Sequence, residues 1–409
     1  MSAPPLPALQ PAPNRTVSPP AALLMLLFLT ALLGRYSLDR FGLDQSVELR
    51  GVALSMLVIL TLLWRATVSD RSYQHTWGST GQLGLVFLGY QVSSALWAPP
   101  EARTAQLLVD IVAIAALFMV SLAITGPDRD RSARVLLYLM LGAGCAYAVL
   151  GLVLGQTTAQ GRLSVLGGGP NVFVRVVILG VLAAFALAAI RRKPAILAVL
   201  PPLATAALLS GSRGGLLAGL LTMLAFAWLY RRRIRASRVL TTAVLAGTLS
   251  IAGLALLGDG AVGFLRDRYL PGNLAEANLS YRPELVEQAW TLFRERPLFG
   301  AGLDAFYGEY GYSGSWEYAH NFVASVGAEG GLVGLALLAV LLYGIARALG
   351  PITELSPERT ACLLAAMYIF FASLFSGDYY DTRLAWIFIA VAANPQPTTR
   401  LFRARQRRA

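Results

Sequence analysis

The chain has 409 residues, of which 56% are hydrophobic and only 14% are charged, and its mean hydropathy is +0.59. Soluble domains usually carry about 25% charged residues, so this composition excludes an ordinary soluble protein and predicts a membrane protein. The formal net charge of +12 would also fit a nucleic-acid partner. The positions of the basic residues argue against nucleic acid and favour membrane lipids as the surroundings of the chain.

Apolar runs of nearly membrane-spanning length recur along the chain and predict an all-α fold with about 12 transmembrane helices, each of about 20 residues or somewhat fewer. The runs are 21–34, 51–64, 80–97, 105–125, 134–155, 172–190, 194–210, 214–230, 239–257, 322–346, 360–376 and 383–394. The first run follows a proline-rich, nearly uncharged leader without a small-residue cleavage site. We therefore interpret it as a retained span and not as a signal peptide.

The basic residues orient these predicted spans. With the N-terminus in the cytoplasm, the inner segments hold roughly three times as many arginines and lysines as the short outer loops. The basic runs "RRK" and "RRRIR" are then topology anchors. The predicted organisation is a first set of nine spans within 1–257, a periplasmic loop at 258–321, the last three spans within 322–396 and a basic cytoplasmic tail at 397–409.

The sequence lacks the signatures of metal and cofactor chemistry. Its two cysteines, Cys145 and Cys362, fall inside apolar spans without CxxC spacing or companion histidines, which argues against a metal site or a disulfide. The sequence contains no GxxxxGK[ST] phosphate loop and no HExxH motif. We therefore expect neither a metal nor a cofactor.

The predicted periplasmic loop contains an amphipathic helix. In "RPELVEQAWTLFRERPLFGAG", apolar residues such as Leu285, Trp290 and Phe293 recur with a period near 3.6. Pro283 suits the first turn of this helix, and Pro297 ends it. Such a helix lies on the bilayer surface or covers a cavity. A loop helix that only packs is the simpler alternative, and it stays open.

Three further polar features lie at predicted outer ends of spans. "LSGSRGGLL" turns between the seventh and eighth spans and carries Arg213. "LGGGPNVFVRVV" opens the sixth span with Asn171 and places Arg175 one helical turn inside the apolar stretch. "YAHNFVASVGAEGGLVG" places His320 and Asn321 at the mouth of the tenth span. An arginine at membrane depth faces a cavity or a partner, or it extends to the interface, and both alternatives stay open for Arg175.

These residue types suit phosphate binding and proton transfer. A guanidinium group presents a planar fork of donors to phosphate oxygens, and the glycines beside Arg213 let the backbone approach a ligand closely. Histidine exchanges its proton near neutral pH, which makes His320 a candidate general base. A plain turn arginine and a structural histidine are the alternatives. His75 lies in a predicted cytoplasmic loop, and we interpret it as incidental.

The order, spacing and membrane side of these motifs resemble the O-antigen ligase and polymerase superfamily of bacterial envelopes. The motifs are "SRGG", "RPELVEQAW", "RPLFGAGLDAF" and "HNFVASVGAEGGLVG". The resemblance implies a GT-C-like glycosyltransferase of the bacterial inner membrane. Such an enzyme moves a glycan from undecaprenyl pyrophosphate to an acceptor hydroxyl on the periplasmic face. A ligase uses the lipid A core as acceptor, whereas a polymerase extends another lipid-linked glycan.

The resemblance also implies roles for individual residues. The family's loop histidine corresponds to His320 as general base, and its arginines correspond to Arg213 and Arg282, which would hold the pyrophosphate. Arg175 stands where many members have small apolar residues, and it is a further candidate for the pyrophosphate. Candidates for orienting the histidine or binding sugar are Asn321, Asn171, Trp290 and Tyr312. The implied reaction needs no metal and inverts the anomeric centre.

Two rival classes stay open beside the enzyme, namely a transporter or flippase of lipid-linked glycans and a structural partner in envelope assembly. Transporters usually place charged groups near the bilayer midplane, on broken helices related by an internal repeat. In this sequence the polar groups gather at the predicted outer rim, and no internal repeat is visible. The sequence does not distinguish a ligase from a polymerase.

Overall fold

The part of the chain that the computed structural model describes is almost entirely helical. The described residues are 18–34, 49–68, 78–126, 128–158, 160–166, 168–231, 241–242, 245, 247–250, 252–253, 258–270, 282–311 and 318–393. Within these ranges the only strands are β1 (Gln156–Thr157) and β2 (Leu163–Ser164), which pair antiparallel. The predicted all-α class is therefore confirmed, while the predicted tail at 397–409 lies outside the described residues.

Apart from α9, the helices coincide with the apolar runs of the sequence and with the amphipathic segment. In chain order they are α1 (Ala21–Leu33), α2 (Leu49–Thr67), α3 (Gly78–Ser93), α4 (Thr104–Thr125), α5 (Arg129–Leu154), α6 (Pro170–Arg191), α7 (Leu200–Leu209), α8 (Arg213–Tyr230), α9 (Asp259–Tyr269), α10 (Arg282–Glu295), α11 (Phe322–Leu349), α12 (Pro357–Phe375) and α13 (Arg383–Ala392). Among the described helices, seven are long and apolar enough to cross a membrane, namely α2, α4, α5, α6, α8, α11 and α12. The chain is therefore a multi-pass membrane protein.

These seven helices account for part of the predicted set of about 12 spans. α1 and the apolar segment Pro194–Leu209 are shorter than a spanning helix. The predicted spans 80–97 and 383–394 correspond to α3 and α13, which have 16 and 10 residues. Most of the predicted span 239–257 lies outside the described residues. The full number of spans and the periplasmic position of 258–321 therefore stay predictions.

α6 lies at the centre of the helix bundle. Most of its residues are buried, and it packs against α5, α7 and α12. A Cβ atom added to Gly144 of α5 would lie only 2.6 Å from the Cα atom of Gly180 in α6. Small residues permit such a close approach of two membrane helices. The start of α6, which carries Asn171, is therefore held against a tightly packed centre.

α11 is broken near its beginning at Gly331, whose φ of 62° lies in the left-handed region. A break inside an apolar helix leaves backbone groups that need other partners. The turn after α10 supplies one, because the backbone N–H of Ala301 donates to the carbonyl oxygen of Ala328 at 2.8 Å. This approach requires glycine, since a Cβ atom at Gly300 would lie 2.4 Å from the backbone of Glu329. The first half of α11 is thereby fixed against the turn.

α10 packs along this first half of α11. One face of α10 contributes Leu285, Ala289 and Leu292 to a small hydrophobic cluster that also contains Phe306 and Ala328. Its N-terminal turn lies beside the loop that precedes α11. α10 therefore forms one wall of the space in front of that loop.

Candidate functional site

An open cavity of about 630 Å³ lies where the start of α8, the end of α12 and the loop before α11 meet, beside α9 and α10. The polar side chains that line it are Arg162, Ser212, Arg213, Arg268, His320 and Asn321. None of the described residues that line the cavity is acidic. The cavity is therefore strongly basic, and it brings together Arg213 and His320, two of the site residues predicted from the sequence motifs.

Backbone carbonyl groups hold the arginines that line the cavity. The Nε of Arg213 donates to the carbonyl oxygen of Arg268 at 3.1 Å, and the Nε of Arg268 donates to the carbonyl oxygen of Gly211 at 3.0 Å. The Nη2 of Arg213 is buried and has no hydrogen-bond partner among the described residues. Burial, together with the positive charge of Arg213, lowers the pKa of Arg268. This uncompensated positive charge makes the cavity suited to an anion.

Arg162 and Arg268 are cavity residues that the sequence motifs did not reveal. Arg162 comes from the loop between β1 and β2, where its Nε donates to the carbonyl oxygen of Ser210 at 3.2 Å. Its Nη2 donates to the Oδ1 of Asn171 at 3.0 Å. Neither arginine stands in a motif, and the only sequence signal was a basic residue in a predicted outer segment. They reach the cavity through tertiary packing.

His320 lies in a constrained position just before α11. Its φ of 53° lies in the left-handed region, which non-glycine residues seldom adopt. The next residue, Asn321, caps α11 because its Oδ1 accepts a hydrogen bond from the backbone N–H of Ala324 at 3.0 Å. The Tyr318 ring lies against the imidazole, with 4.1 Å between the ring centroids. Cap and ring together fix the direction in which His320 enters the cavity.

Asn171 lies behind the cavity wall and does not line the cavity. Its Oδ1 accepts from Arg162 and also from the Oγ of Ser212 at 2.7 Å. Its Nδ2 donates to the Oγ of Ser376 at 2.8 Å. The side chain therefore joins three segments, namely the β1–β2 loop, the turn at 210–213 and the end of α12.

Arg175 lies in the protein interior and is not among the cavity residues. Its Nη1 lies 3.0 Å from the Oδ1 of Asp381, and its Nη2 donates to the carbonyl oxygen of Ser376. The carboxylate of Asp381 also lies 3.8 Å from Arg383. Arg175 thus has an acidic partner inside the helix bundle, unlike Arg213.

The remaining predicted site residues are Arg282, Trp290 and Tyr312. Arg282 begins α10 directly before the cavity residue Pro283, but the side chain of Arg282 lies outside the described part of the structure. Tyr312 also lies outside the described residues. Trp290 does not line the cavity. It is 54% exposed and stacks on Phe293, with 4.9 Å between the ring centroids. Of this group, only the backbone at Arg282 is placed beside the cavity.

A second, much smaller cavity of about 20 Å³ lies behind Tyr318. It is lined by acidic and polar groups that include Asp304 and Asp378. The Oδ2 of Asp304 accepts from the backbone N–H and the Nε of Arg103, at 2.9 and 3.3 Å. Burial nevertheless raises the pKa of Asp304. In the part of the chain that the structure describes, no group of three or more His, Cys, Asp and Glu residues is arranged to hold a metal.

The fold and the cavity define a multi-pass helical membrane protein with a basic pocket at the ends of several helices. Residues 195–339 match the family model described as O-antigen ligase. The matched segment is less than half of the chain, and it contains α8, α10, His320 and the break in α11. This segment belongs to the O-antigen ligase superfamily, so the resemblance seen in the motifs is confirmed. A comparison with curated proteins finds no match.

Proposed function

We propose that the protein is a glycosyltransferase that moves a glycan from a polyprenyl pyrophosphate to an acceptor hydroxyl, in the manner of an O-antigen ligase. Family membership supports a lipid-linked glycan and an acceptor within the membrane. Undecaprenyl pyrophosphate is the proposed carrier, and the lipid A core is the proposed acceptor. The proposed location of the cavity is the periplasmic side of the bacterial inner membrane.

The observation that carries this proposal is the combination of arginines and one histidine in a cavity without described acidic residues. A pyrophosphate leaving group takes up negative charge as its bond to the sugar breaks, and fixed donors in a site shielded from water stabilise that charge. Arg213 has a buried nitrogen with no described partner. A phosphate oxygen would supply the missing acceptor.

Each step of the proposed reaction has a group in this cavity. His320 takes the proton from the acceptor hydroxyl, and the hydroxyl oxygen forms a bond with the anomeric carbon of the donor sugar. The bond between that carbon and the pyrophosphate oxygen breaks, and its electron pair leaves with the lipid pyrophosphate. The guanidinium groups hold the product anion. Because the attacking oxygen approaches opposite the leaving group, the anomeric centre is inverted.

The arginines divide into two sets in this proposal. Arg213, Arg162 and Arg268 line the cavity and are assigned to the pyrophosphate, together with Arg282 at the start of α10. Arg175 is assigned a structural role, because Asp381 and the carbonyl oxygen of Ser376 already engage its guanidinium. The two asparagines are likewise assigned to support, since Asn321 caps α11 and Asn171 lies behind the wall.

The wall of the cavity also suits the lipid part of such a donor. Leu217, Leu374 and Phe375 line the cavity together with the basic groups. Leu217 follows Arg213 by one turn of α8 and is 44% exposed at the outside of the protein. An apolar surface next to the phosphate-binding groups is what a polyprenyl pyrophosphate would need.

Purified protein, an undecaprenyl-pyrophosphate glycan and an acceptor glycolipid test the proposal directly. His320→Gln is expected to lower transfer by about 10²–10⁴-fold, the usual contribution of general-base catalysis. Arg213→Lys should leave at most a trace of transfer, because lysine lacks the planar fork. The matched control is Arg347→Lys, since Arg347 is exposed in the last turn of α11 and bonded to Tyr343 of the same helix. Full activity in His320→Gln and Arg213→Lys would refute the proposal.

The same assay separates the alternatives. A polymerase would use the same chemical step and give a ladder of products, whereas a ligase adds one glycan per acceptor. A flippase would move the labelled donor across liposome membranes without cleavage of the sugar–pyrophosphate bond. That last result, with no transfer product, would contradict a glycosyltransferase.

A further inference from the structure

A continuous series of contacts behind the cavity wall joins His320 to the turn that carries Arg213. The series begins at Tyr318, whose ring packs against the imidazole with 4.1 Å between centroids. The side chain of Ser376 lies close enough to the Tyr318 hydroxyl to influence it electrostatically. Tyr318 opens the segment "YAHNFVASVGAEGGLVG", whereas Ser376 stands in none of the quoted motifs, and neither residue lines the main cavity.

The series continues from Ser376 into the start of α6. The Oγ of Ser376 accepts from the Nδ2 of Asn171 at 2.8 Å, and the Oδ1 of Asn171 accepts from Arg162 and Ser212 at 3.0 and 2.7 Å. Both ends of the Asn171 carboxamide are therefore in use, which fixes its orientation. Ser212 directly precedes Arg213 in the turn at 210–213.

We propose that Tyr318 is a positioning residue for His320, and that Ser376 and Asn171 tie this histidine to the arginine turn. The inference rests on the proposed function, in which His320 and Arg213 must act on the same donor and acceptor. A reaction between two bound groups depends strongly on their distance and direction. His320 and Arg213 lie on separate segments of the chain, and the contacts through Tyr318, Ser376 and Asn171 connect these segments.

The burial of Tyr318 and the charged groups around it are consistent with a positioning role. Burial raises the pKa of Tyr318, and the nearby Asp381 and Asp378 act in the same direction. The phenol therefore stays neutral around pH 7. A neutral phenol beside the imidazole constrains its position without competing for the proton of the acceptor.

Kinetics of the full-length protein give the first test. Tyr318→Phe and Ser376→Ala each break the series, and each is expected to lower kcat between about 10-fold and 100-fold with little change in the KM for the donor. Because both changes break the same connection, the double variant should lose no more than the stronger single variant. Fully additive losses in the double variant would overturn the proposed series.

A second measurement does not depend on glycan transfer. The chain has only two histidines, so histidine-selective isotope labelling gives two imidazole signals, and His75→Gln identifies the one from His320. Tyr318→Ala removes the adjacent ring and should move the His320 signal strongly. Tyr318→Phe and Ser376→Ala should produce smaller shifts or several coexisting signals. An unchanged His320 signal in all three variants would overturn the proposal.

The matched control is Tyr343→Phe, because Tyr343 is 63% exposed and bonds only along its own helix to Arg347. This variant should leave both kcat and the His320 signal unchanged. If the wild-type protein transfers no glycan, the proposed function fails, while the histidine signals still decide whether Tyr318 and Ser376 position the imidazole. If transfer occurs and the signals do not respond, only the positioning role fails.

Discussion

The interior of the helix bundle contains buried arginines and the cavity at its helix ends contains half-buried ones, and the two regions balance the positive charge differently. In the interior, Arg175 and Arg383 lie 3.0 and 3.8 Å from the carboxylate of Asp381. At the cavity, Arg213 and Arg268 bond to backbone carbonyl groups, and no described acidic residue lines the cavity. A paired arginine holds helices together, whereas an arginine held by carbonyls keeps its charge available for a ligand.

The interior pair should show the largest effect, and the effect should be on stability. Arg175→Ala leaves Asp381 without its nearest cation and is expected to lower the free energy of unfolding by about 3–5 kcal/mol. Replacing both partners, as Arg175→Met with Asp381→Leu, should restore part of this loss, because only Arg383 then lacks its neighbouring carboxylate. Thermal unfolding in detergent, followed by tryptophan fluorescence, measures both. Unchanged stability of Arg175→Ala combined with lost transfer would instead place Arg175 in the pyrophosphate site.

The cavity arginines should show an effect on ligand binding. Inorganic pyrophosphate is expected to stabilise the wild-type protein by about 2.7 kcal/mol at a concentration of 100 times its Kd. Arg213→Ala should remove most of this stabilisation and change the unfolding midpoint of the unliganded protein little. The control is Arg347→Ala, which should respond to pyrophosphate like the wild type. Equal stabilisation of Arg213→Ala and wild type would mean that the anion binds elsewhere.

Added salt should weaken anion binding in the cavity more than it weakens the ion pair in the interior, and this is the smallest of the three expected effects. Raising the ionic strength from about 0.1 to 1 M shortens the screening length from about 10 to 3 Å, which weakens charge interactions in an open cavity more than those in a buried pair. We expect the affinity for pyrophosphate to fall several-fold, while the stability difference between wild type and Arg175→Ala changes little. Titration calorimetry and thermal unfolding across this range check the two expectations. A stability difference that collapses with salt would show that the interior pair is accessible to water.

Composition, apolar periodicity and four short motifs were enough to predict the all-helical membrane class and the superfamily. They succeeded because each signal is local, being either a run of apolar residues or a motif at a helix end. His320 and Arg213 belong to such motifs, and the structure brings them to one cavity. The number of spans is harder to predict from the sequence, because helices such as α13, with 10 residues, are shorter than the bilayer thickness requires.

The sequence alone could not predict which residues tertiary packing brings into contact. In the sequence, Arg162 and Arg268 are indistinguishable from other loop arginines. They reach the cavity only because the β1–β2 loop and α9 pack against the turn at 210–213. The candidacy of Arg175 for the pyrophosphate stays a prediction, and its ion-pair partner Asp381 could not be foreseen because it lies on a distant segment of the chain. Whether an arginine serves structure or ligand depends on such pairings, which a single sequence does not contain.

The break in α11 has a consequence for how the protein tolerates its bilayer. Membrane helices adapt to changes in hydrocarbon thickness by tilting. The part of α11 beyond Gly331 carries exposed apolar side chains such as Leu332 and Tyr343. Both parts are bonded to the turn after α10, because the backbone N–H of Leu332 also donates to the carbonyl oxygen of Pro297 at 2.8 Å. The break is therefore held on both sides, so a tilt of α11 in a thinner or thicker membrane is expected to move the turn after α10 with it.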